Sequence, residues 1–231
     1  MPYRRSSARG ASARRARELR ASFLYAKIRT RQLPTHVRDS IFQNCVFQLS
    51  SVLEDYISEL TTQWFNSLVS QGALNSAIPL STRSLYAAKS QEEAFKRFIG
   101  LGDEVDLSAR TGAMLETFLL FDEAKPAPAL EYRSTLIKDK KFPSVRNVEI
   151  LFRRLGIPRI FQALSRRSST DVELALRAFM DVRNALAHES PPSITHLDVA
   201  RYFTQVEVWI EAIDREFYGH VVRSSGSNYW S

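Results

Sequence analysis

The segment Arg183-Asn184-Ala185-Leu186-Ala187-His188 contains the residue types best suited to chemistry in this chain. Arg183 carries a planar guanidinium that can hold a phosphate through two parallel hydrogen bonds, and His188 carries a ring that titrates near neutral pH. A phosphate-binding cation and a proton-transfer group can cleave RNA without a metal, because the RNA 2′-hydroxyl supplies the nucleophile. The segment therefore predicts a metal-independent RNA-cleaving site. DNA, which lacks that hydroxyl, should resist cleavage.

The helical wheel of the surrounding sequence predicts where these side chains point. At about 100° per residue, an apolar stripe is predicted on one side, made of Ala175, Phe179, Val182 and Leu186. Polar residues cluster on the opposite side, namely Arg177, Asp181, Asn184 and His188. Asn184 lies four residues before His188, so it could orient the ring or hold a phosphate oxygen, with Asp181 as a further supporting residue.

Arg183 and His188 do not converge along one straight helix, because five residues separate them by about 140° around the axis. The stop imposed by Pro191-Pro192 permits a loosened helix end that would bring them together. An outward-facing His188 equally permits a second copy of the chain to complete the site. Glu54, on an earlier helix, could orient Arg183 or His188, although a solvated helix acid is the simpler interpretation.

The elements that must position these residues are helical, and no segment shows convincing strand alternation. Apolar residues with a period near 3.6 predict a long helix over 36–70 and another over 195–220. Further helices are predicted over 82–98, with Leu85, Ala88 and Phe95 inward, over 108–121, from Pro143-Ser144 to about Leu155, and from Ser169-Thr170-Asp171 to about 187 or 188. Glu173 is placed for a capping box with Thr170. The fold class is therefore an all-α, bundle-like domain with a basic N-terminal arm.

The basic character of the chain is concentrated at its N-terminal end. Of the net charge of +7 on 231 residues, residues 1–31 contribute +9 and the remainder about −2. Residues 1–12 should be mobile and the rest of this arm helical. We expect the arm to contact RNA phosphates through Arg4, Arg5, Arg14, Arg15, Arg17 and Arg20. The composition also resembles a mitochondrial transit peptide, and a solvated face that only aids solubility is the third interpretation.

Composition bounds the remaining possibilities. The predicted organisation is a basic arm over 1–31, a helical domain over 32–222 and a flexible tail over 223–231. One cysteine, Cys45, excludes an internal disulfide and a cysteine-rich zinc site, so we expect no metal and no cofactor. His36, His196 and His220 lack metal-ligand spacing and are predicted at the surface. No apolar run is long enough to span a membrane and no signal peptide is visible, so a cytoplasmic location is expected.

The sequence resembles the HEPN superfamily, whose signature is Arg, commonly followed by Asn, with His a few residues later at a helix end. The resemblance covers about residues 36–220. Leu49-Ser-Ser-Val-Leu-Glu-Asp-Tyr56 also looks like the opening helix of the RiboL-PSP-HEPN group. The resemblance to the superfamily implies a helical bundle that dimerises with the two motifs facing each other. It also implies, for many members, RNase activity in phage defence, toxin–antitoxin or RNA-processing systems.

Carried onto this chain, the resemblance makes Arg183 and His188 the catalytic pair and Asn184 its polar neighbour. Some toxins of the superfamily carry a modified Tyr two residues after the His, where this chain has Ser190, so that form of antitoxin pairing is in doubt. Two alternatives stay open. One is a non-catalytic module that binds nucleotides or proteins. The other is a DNA-binding regulator built on the arm, which the lack of a basic helix-turn-helix signature disfavours.

Overall fold

A computed structural model describes residues 2–29, 32–128, 133–187 and 192–230 of the chain. Within these ranges the protein is helical and has no strand, apart from one isolated bridge between Leu74 and Pro126. The α-helices are α1 (Ser7–Ile28), α2 (Thr35–Ser70), α3 (Leu80–Leu101), α4 (Glu104–Ala113), α5 (Leu115–Leu119), α6 (Val145–Arg154), α7 (Ile160–Ser168), α8 (Val172–Ala185) and α9 (His196–Ser224). The predicted all-α class is confirmed.

The two longest helices, α2 and α9, pack against each other and contribute a large share of the core. Their apolar stripes are buried as predicted, and Trp64 of α2 meets Phe217 of α9 edge to face with ring centroids 5.3 Å apart. Helix α9 starts at a capping box, in which Thr195 and Asp198 each accept a hydrogen bond from the other's backbone amide. Helix α8 packs against both of these helices.

The described N-terminal segment belongs to this bundle, and helix α1 already begins at Ser7, within the residues for which mobility was expected. The predicted helix exists as α1, and it lies along α2 and α9 with Ala8, Ala16, Phe23 and Ala26 buried. Small residues at helical spacing let α1 approach α2 and α9 closely. This packing pattern is hard to recognise in the sequence because arginines are interspersed with it. The segment is basic and helical, but it is not an appendage.

The described part of the segment predicted as a flexible tail over 223–231 packs onto the rest of the protein. Helix α9 continues to Ser224, and Trp230 is buried with its indole N–H donating to the Arg4 carbonyl at 2.8 Å. Trp230 also packs edge to face on Tyr218. One aromatic residue near the end of the chain therefore fastens the last residues to the first ones.

The middle of the chain departs most from expectation. The helix predicted over 108–121 is two helices, α4 and α5, and α7 was not predicted at all. Helix α3 ends where Gly102 adopts a φ of 69°, a left-handed conformation that favours glycine. Of the α3 residues predicted inward, Leu85 is half-buried whereas Ala88 and Phe95 are exposed. Across the described residues, no helix is long and apolar enough to span a membrane.

Candidate active site around Arg183

Helix α8 carries the predicted site, and its start is defined by a side-chain cap. Asp171 is the N-cap and accepts from the Leu174 amide at 3.0 Å, so the capping box predicted from Thr170 and Glu173 is not the device used. The buried face consists of Val172, Leu176, Phe179, Met180 and Leu186.

This buried face is rotated from the predicted stripe. Phe179 and Leu186 are buried as expected, but Ala175 and Val182 are only half-buried. Arg183 lies one turn after Phe179 and two turns after Leu176, which places it in the middle of the apolar face. The guanidinium therefore emerges from the core side of α8, whereas Arg177, Asp181 and Asn184 are exposed as predicted.

Two aromatic rings hold the Arg183 guanidinium. Its Cζ lies 5.5 Å from the ring centroid of Phe47 on α2 and 5.2 Å from that of Phe142, in the connection before α6. Each cation–π contact contributes about 0.5–1 kcal/mol at an exposed site and about 2 kcal/mol when it is desolvated. Because the rings come from two different elements, each contact ties the guanidinium to a separate part of the fold.

Arg183 has an unusual set of polar partners. Nη1 donates to Oδ1 of Asn184 at 3.3 Å, and Nε is buried without a hydrogen-bond partner. No carboxylate of the described residues forms an ion pair with it, whereas arginines such as Arg9 and Arg154 are bonded to acids. A half-buried guanidinium with unused donors and no counter-ion is a site prepared for an anion.

The end of α8 explains how a motif spread around a helix could still converge. The α-helix stops at Ala185, and the Ala187 amide bonds to the Asn184 carbonyl at 3.0 Å, an i−3 bond that tightens the last turn. The regular helix therefore ends three residues before His188. His188 itself lies outside the described residues, as does Ser190, so the orientation predicted for His188 stays a prediction.

Glu54 does not contact Arg183. Its Oε1 lies 3.3 Å from Nζ of Lys141, the residue that precedes Phe142. Glu54 of α2 thus contacts the connection before α6, which also supplies Phe142. The rings of Phe47 and Phe142 together form the aromatic clamp of the Arg183 guanidinium. The predicted role of Glu54 in orienting Arg183 or His188 stays a prediction, since His188 lies outside the described residues.

The arginines predicted to bind RNA fall into two groups. Arg15 and Arg20 are engaged with Asp55 and Glu207, and Arg5 donates to the Arg9 carbonyl. Arg4, Arg14 and Arg17 are exposed, and no side-chain partner of theirs occurs among the described residues. No contact brings any member of this set to Arg183.

Two features of the site were not predicted from the sequence: the aromatic rings around Arg183, and the nearby Lys141. Phe47 and Phe142 were not singled out, because an aromatic residue in an apolar stripe is usually core, and nothing in the sequence shows that an arginine fills the space between them. The connection before α6 also contains a basic cluster, Lys138, Lys140 and Lys141, to which the sequence assigned no role. His220, predicted at the surface, instead stacks on Phe217 with its Nε2 buried, and burial lowers its pKa.

Comparison with known proteins supports the architecture. Residues 12–219 match the model of the RiboL-PSP-HEPN family, so most of the chain, including α2, α8 and α9, corresponds to this domain. The protein belongs to the RiboL-PSP-HEPN family, as its sequence resemblance implied. Searches of curated proteins and of solved structures gave no match.

Proposed function

We propose that this protein is a metal-independent endoribonuclease of the HEPN type. The observation that carries the proposal is the Arg183 guanidinium, clamped between Phe47 and Phe142 with unused donors and no carboxylate partner in the described chain. Many HEPN domains are RNases, which makes a phosphate of RNA the natural anion for this site. Arg183 binds the scissile phosphate and stabilises the charge that develops on it.

His188 supplies proton transfer in this proposal. The RNA 2′-oxygen attacks the neighbouring phosphorus as its proton leaves, the bond from phosphorus to the 5′-oxygen breaks, and that oxygen gains a proton. The products are a cyclic 2′,3′-phosphate end and a 5′-hydroxyl end, with no net proton change. A histidine that titrates near neutral pH can exchange these protons, and the exposed Asn184 orients either the ring or a phosphate oxygen. Asp181, exposed one turn before Ala185, is a supporting residue.

The proposal extends to partners. Arg14 and Arg17, exposed on α1, are the members of the basic set best able to reach an RNA backbone, while Arg15 and Arg20 would first have to leave their acids. We further propose a cytoplasmic homodimer in which a second copy contributes to the site. A role in defence or toxin–antitoxin systems, with an antitoxin or other defence partner, follows from the family rather than from this chain.

One assay tests the activity. Purified wild type and His188→Ala are incubated with single-stranded RNA in excess EDTA, beside the same sequence in DNA. We expect the wild type to cut RNA only, and His188→Ala to be slower by at least about 100-fold, since general acid–base catalysis contributes ~10²–10⁴ in rate.

His36→Ala is the matched control, because His36 is exposed on α2 and should leave the rate unchanged. Equal cleavage by wild type and His188→Ala, or cleavage that appears only when metal is restored, would contradict the mechanism. Tight RNA binding without any cleavage would instead favour the non-catalytic binding module.

A further inference from the structure

Lys141 is a second cation beside the site, tied to Arg183 through two shared elements. The Phe142 ring contacts the guanidinium at 5.2 Å, and the adjacent Lys141 places its ammonium 3.3 Å from Glu54 of α2. The connection before α6 therefore contacts α8 through Phe142 and α2 through Lys141.

Helix α2 carries one contact residue for each of the two cations. Phe47 and Glu54 are seven residues, or two turns, apart, so they lie on one face of α2 about 10 Å from each other along the axis. Phe47 touches Arg183 and Glu54 touches Lys141. The guanidinium and the ammonium thus occupy two points on one seam between α2 and residues 141–142.

The pair formed by Lys141 and Glu54 is easily exchanged. The Lys141 side chain is 58% exposed, so solvent screens its side of the ion pair and an RNA phosphate can compete with the carboxylate for the ammonium. Lys140, by contrast, is 21% exposed and pairs with Asp139, which Arg154 also holds. Lys141 is the lysine of this basic cluster that is both next to the clamp and open to solvent.

We propose that Lys141 binds a backbone phosphate flanking the one held by Arg183, and that Glu54 is a positioning residue. Glu54 keeps the ammonium over the seam in the free protein and gives it up when RNA arrives. This inference rests on the proposed function, because it assigns a second subsite to the same RNA.

Binding of RNA, measured apart from cleavage, tests the assignment. Fluorescence anisotropy of a labelled single-stranded RNA oligonucleotide is recorded over a salt series, in EDTA and in a His188→Ala background that leaves the RNA intact. We expect Lys141→Gln to weaken binding about 3–10-fold and to reduce the dependence of log K on log salt by about 0.7, the value for one phosphate contact on a single strand. Lys138→Gln, an exposed lysine in the same connection, is the matched control and should change neither quantity.

Glu54→Gln separates positioning from a merely structural role. Removing the competing carboxylate should tighten RNA binding about 2–5-fold, and this gain should vanish in the double variant with Lys141→Gln, because the two residues act as a pair. Thermal unfolding of each variant checks that the fold is kept.

The outcomes separate the two proposals. If Arg183→Ala abolishes binding while Lys141→Gln matches the wild type in affinity and salt dependence, the Lys141 assignment fails and the proposed function stands. If Lys138→Gln weakens binding as much as Lys141→Gln does, the contact is general electrostatics and the assignment is again overturned. RNA binding that is absent, or indifferent to Arg183→Ala, overturns both.

Discussion

At the scale of single residues, the decisive feature is that an arginine occupies a position where a core residue would be expected. Arg183 continues the buried face of α8, yet the space it enters is lined by Phe47 and Phe142 rather than closed by them. Flat rings accept a flat guanidinium on their faces and leave its edge free for hydrogen bonds. The clamp therefore supplies orientation, and the empty donors supply affinity for an anion.

Replacing Arg183 by lysine tests whether shape matters as well as charge. The ammonium of Arg183→Lys keeps the positive charge but cannot stack between two rings or present a fork of donors. We expect RNA cleavage to fall by at least about tenfold, which corresponds to ~1.4 kcal/mol of transition-state stabilisation. Initial cleavage rates at saturating and limiting RNA give the measurement.

Arg177→Lys is the matched control, because Arg177 lies on the exposed side of the same helix in an ion pair with Glu173. It should cut RNA at the wild-type rate. Full activity of Arg183→Lys would show that a point charge suffices and that the aromatic clamp has no part in catalysis.

The burial of His220 predicts that the stability of the fold depends on pH, independently of the site around Arg183. Burial lowers its pKa below the ordinary 6.5, against a backbone hydrogen bond at Leu155 that acts in the other direction. Between the lowered folded pKa and 6.5 the unfolded chain binds the proton and the folded one does not. The contribution of neutral His220 to the stability of the fold is thus complete above pH ~6.5. It is lost as the pH falls from there through the lowered pKa of the folded state.

The measurement is the free energy of unfolding by denaturant from pH 8 to pH 5, for wild type and His220→Gln. The wild type should lose stability relative to the variant below pH ~6.5, whatever the constant offset caused by repacking. His196→Gln, an exposed histidine, serves as the comparison. If the gap between wild type and His220→Gln does not change with pH, His220 is not buried as the structure has it.

At the scale of elements, the N-terminal helix is held by one buried carboxylate. Asp214 of α9 is fully buried and accepts hydrogen bonds from the Ser6 amide, from the Ser6 hydroxyl, from Tyr3 and from Tyr56 of α2. Ser6 is also the N-cap of α1 and accepts from the Arg9 amide. These bonds join α1, α2 and α9 at a single point, and burial with the Asp214 hydrogen bond raises the pKa of Tyr3 to about 12.

Removing this carboxylate should loosen the junction. Asp214→Ala leaves the Ser6 amide and the Tyr56 hydroxyl buried without their acceptor, so we expect a loss of about 3 kcal/mol in the free energy of unfolding. For a chain of this size that is a fall of roughly 6–12 °C in Tm by calorimetry. Asp55→Ala, which breaks only the exposed pair with Arg15, should cost no more than about 1 kcal/mol. Equal losses in the two variants would contradict the anchoring role.

The anchor also shows why the helices were more predictable than their placement. Periodicity predicted both α2 and α9, and missed only the last turn of α9, because each carries a wide apolar stripe over many turns. It could not show that Asp214 would recruit Tyr3 and Ser6, since that contact joins residues more than 200 positions apart. On α3 the same periodicity predicted Phe95 inward, yet Phe95 and Ile99 are 47% and 82% exposed, because a pattern reports an apolar face and not what covers it.

The site divides in the same way. The sequence predicts Arg183, Asn184 and Asp181 as site residues from residue type and position at a helix end, and their roles stay predictions. The clamp could not be predicted in this way, because Phe47, Phe142 and Arg183 come from three distant segments. The rotation of the α8 face away from the predicted stripe has a related cause. Leu176 and Met180 meet neighbouring helices, which no wheel of α8 alone includes.

At the scale of the whole molecule, the question is whether one chain holds a complete site. Arg183 is fixed by elements of its own chain, and the regular part of α8 ends at Ala185, before His188. A tightened helix end could bring both residues to one phosphate within a chain, and a second copy could do so between chains. The two arrangements differ in a way that activity can report.

Mixing two inactive variants distinguishes these arrangements. Arg183→Ala and His188→Ala are each expected to be inactive, and are co-expressed with different affinity tags so that mixed dimers can be isolated. If each site takes Arg183 from one copy and His188 from the other, the mixed dimer contains one intact site and one site lacking both groups. Because a wild-type dimer has two sites, the purified mixed dimer should then cut RNA at about half the wild-type rate, an expectation that follows from the two-fold symmetry. A mixed dimer as inactive as its parents would place both residues of each site in one chain, and light scattering that finds only monomer would remove the shared site altogether.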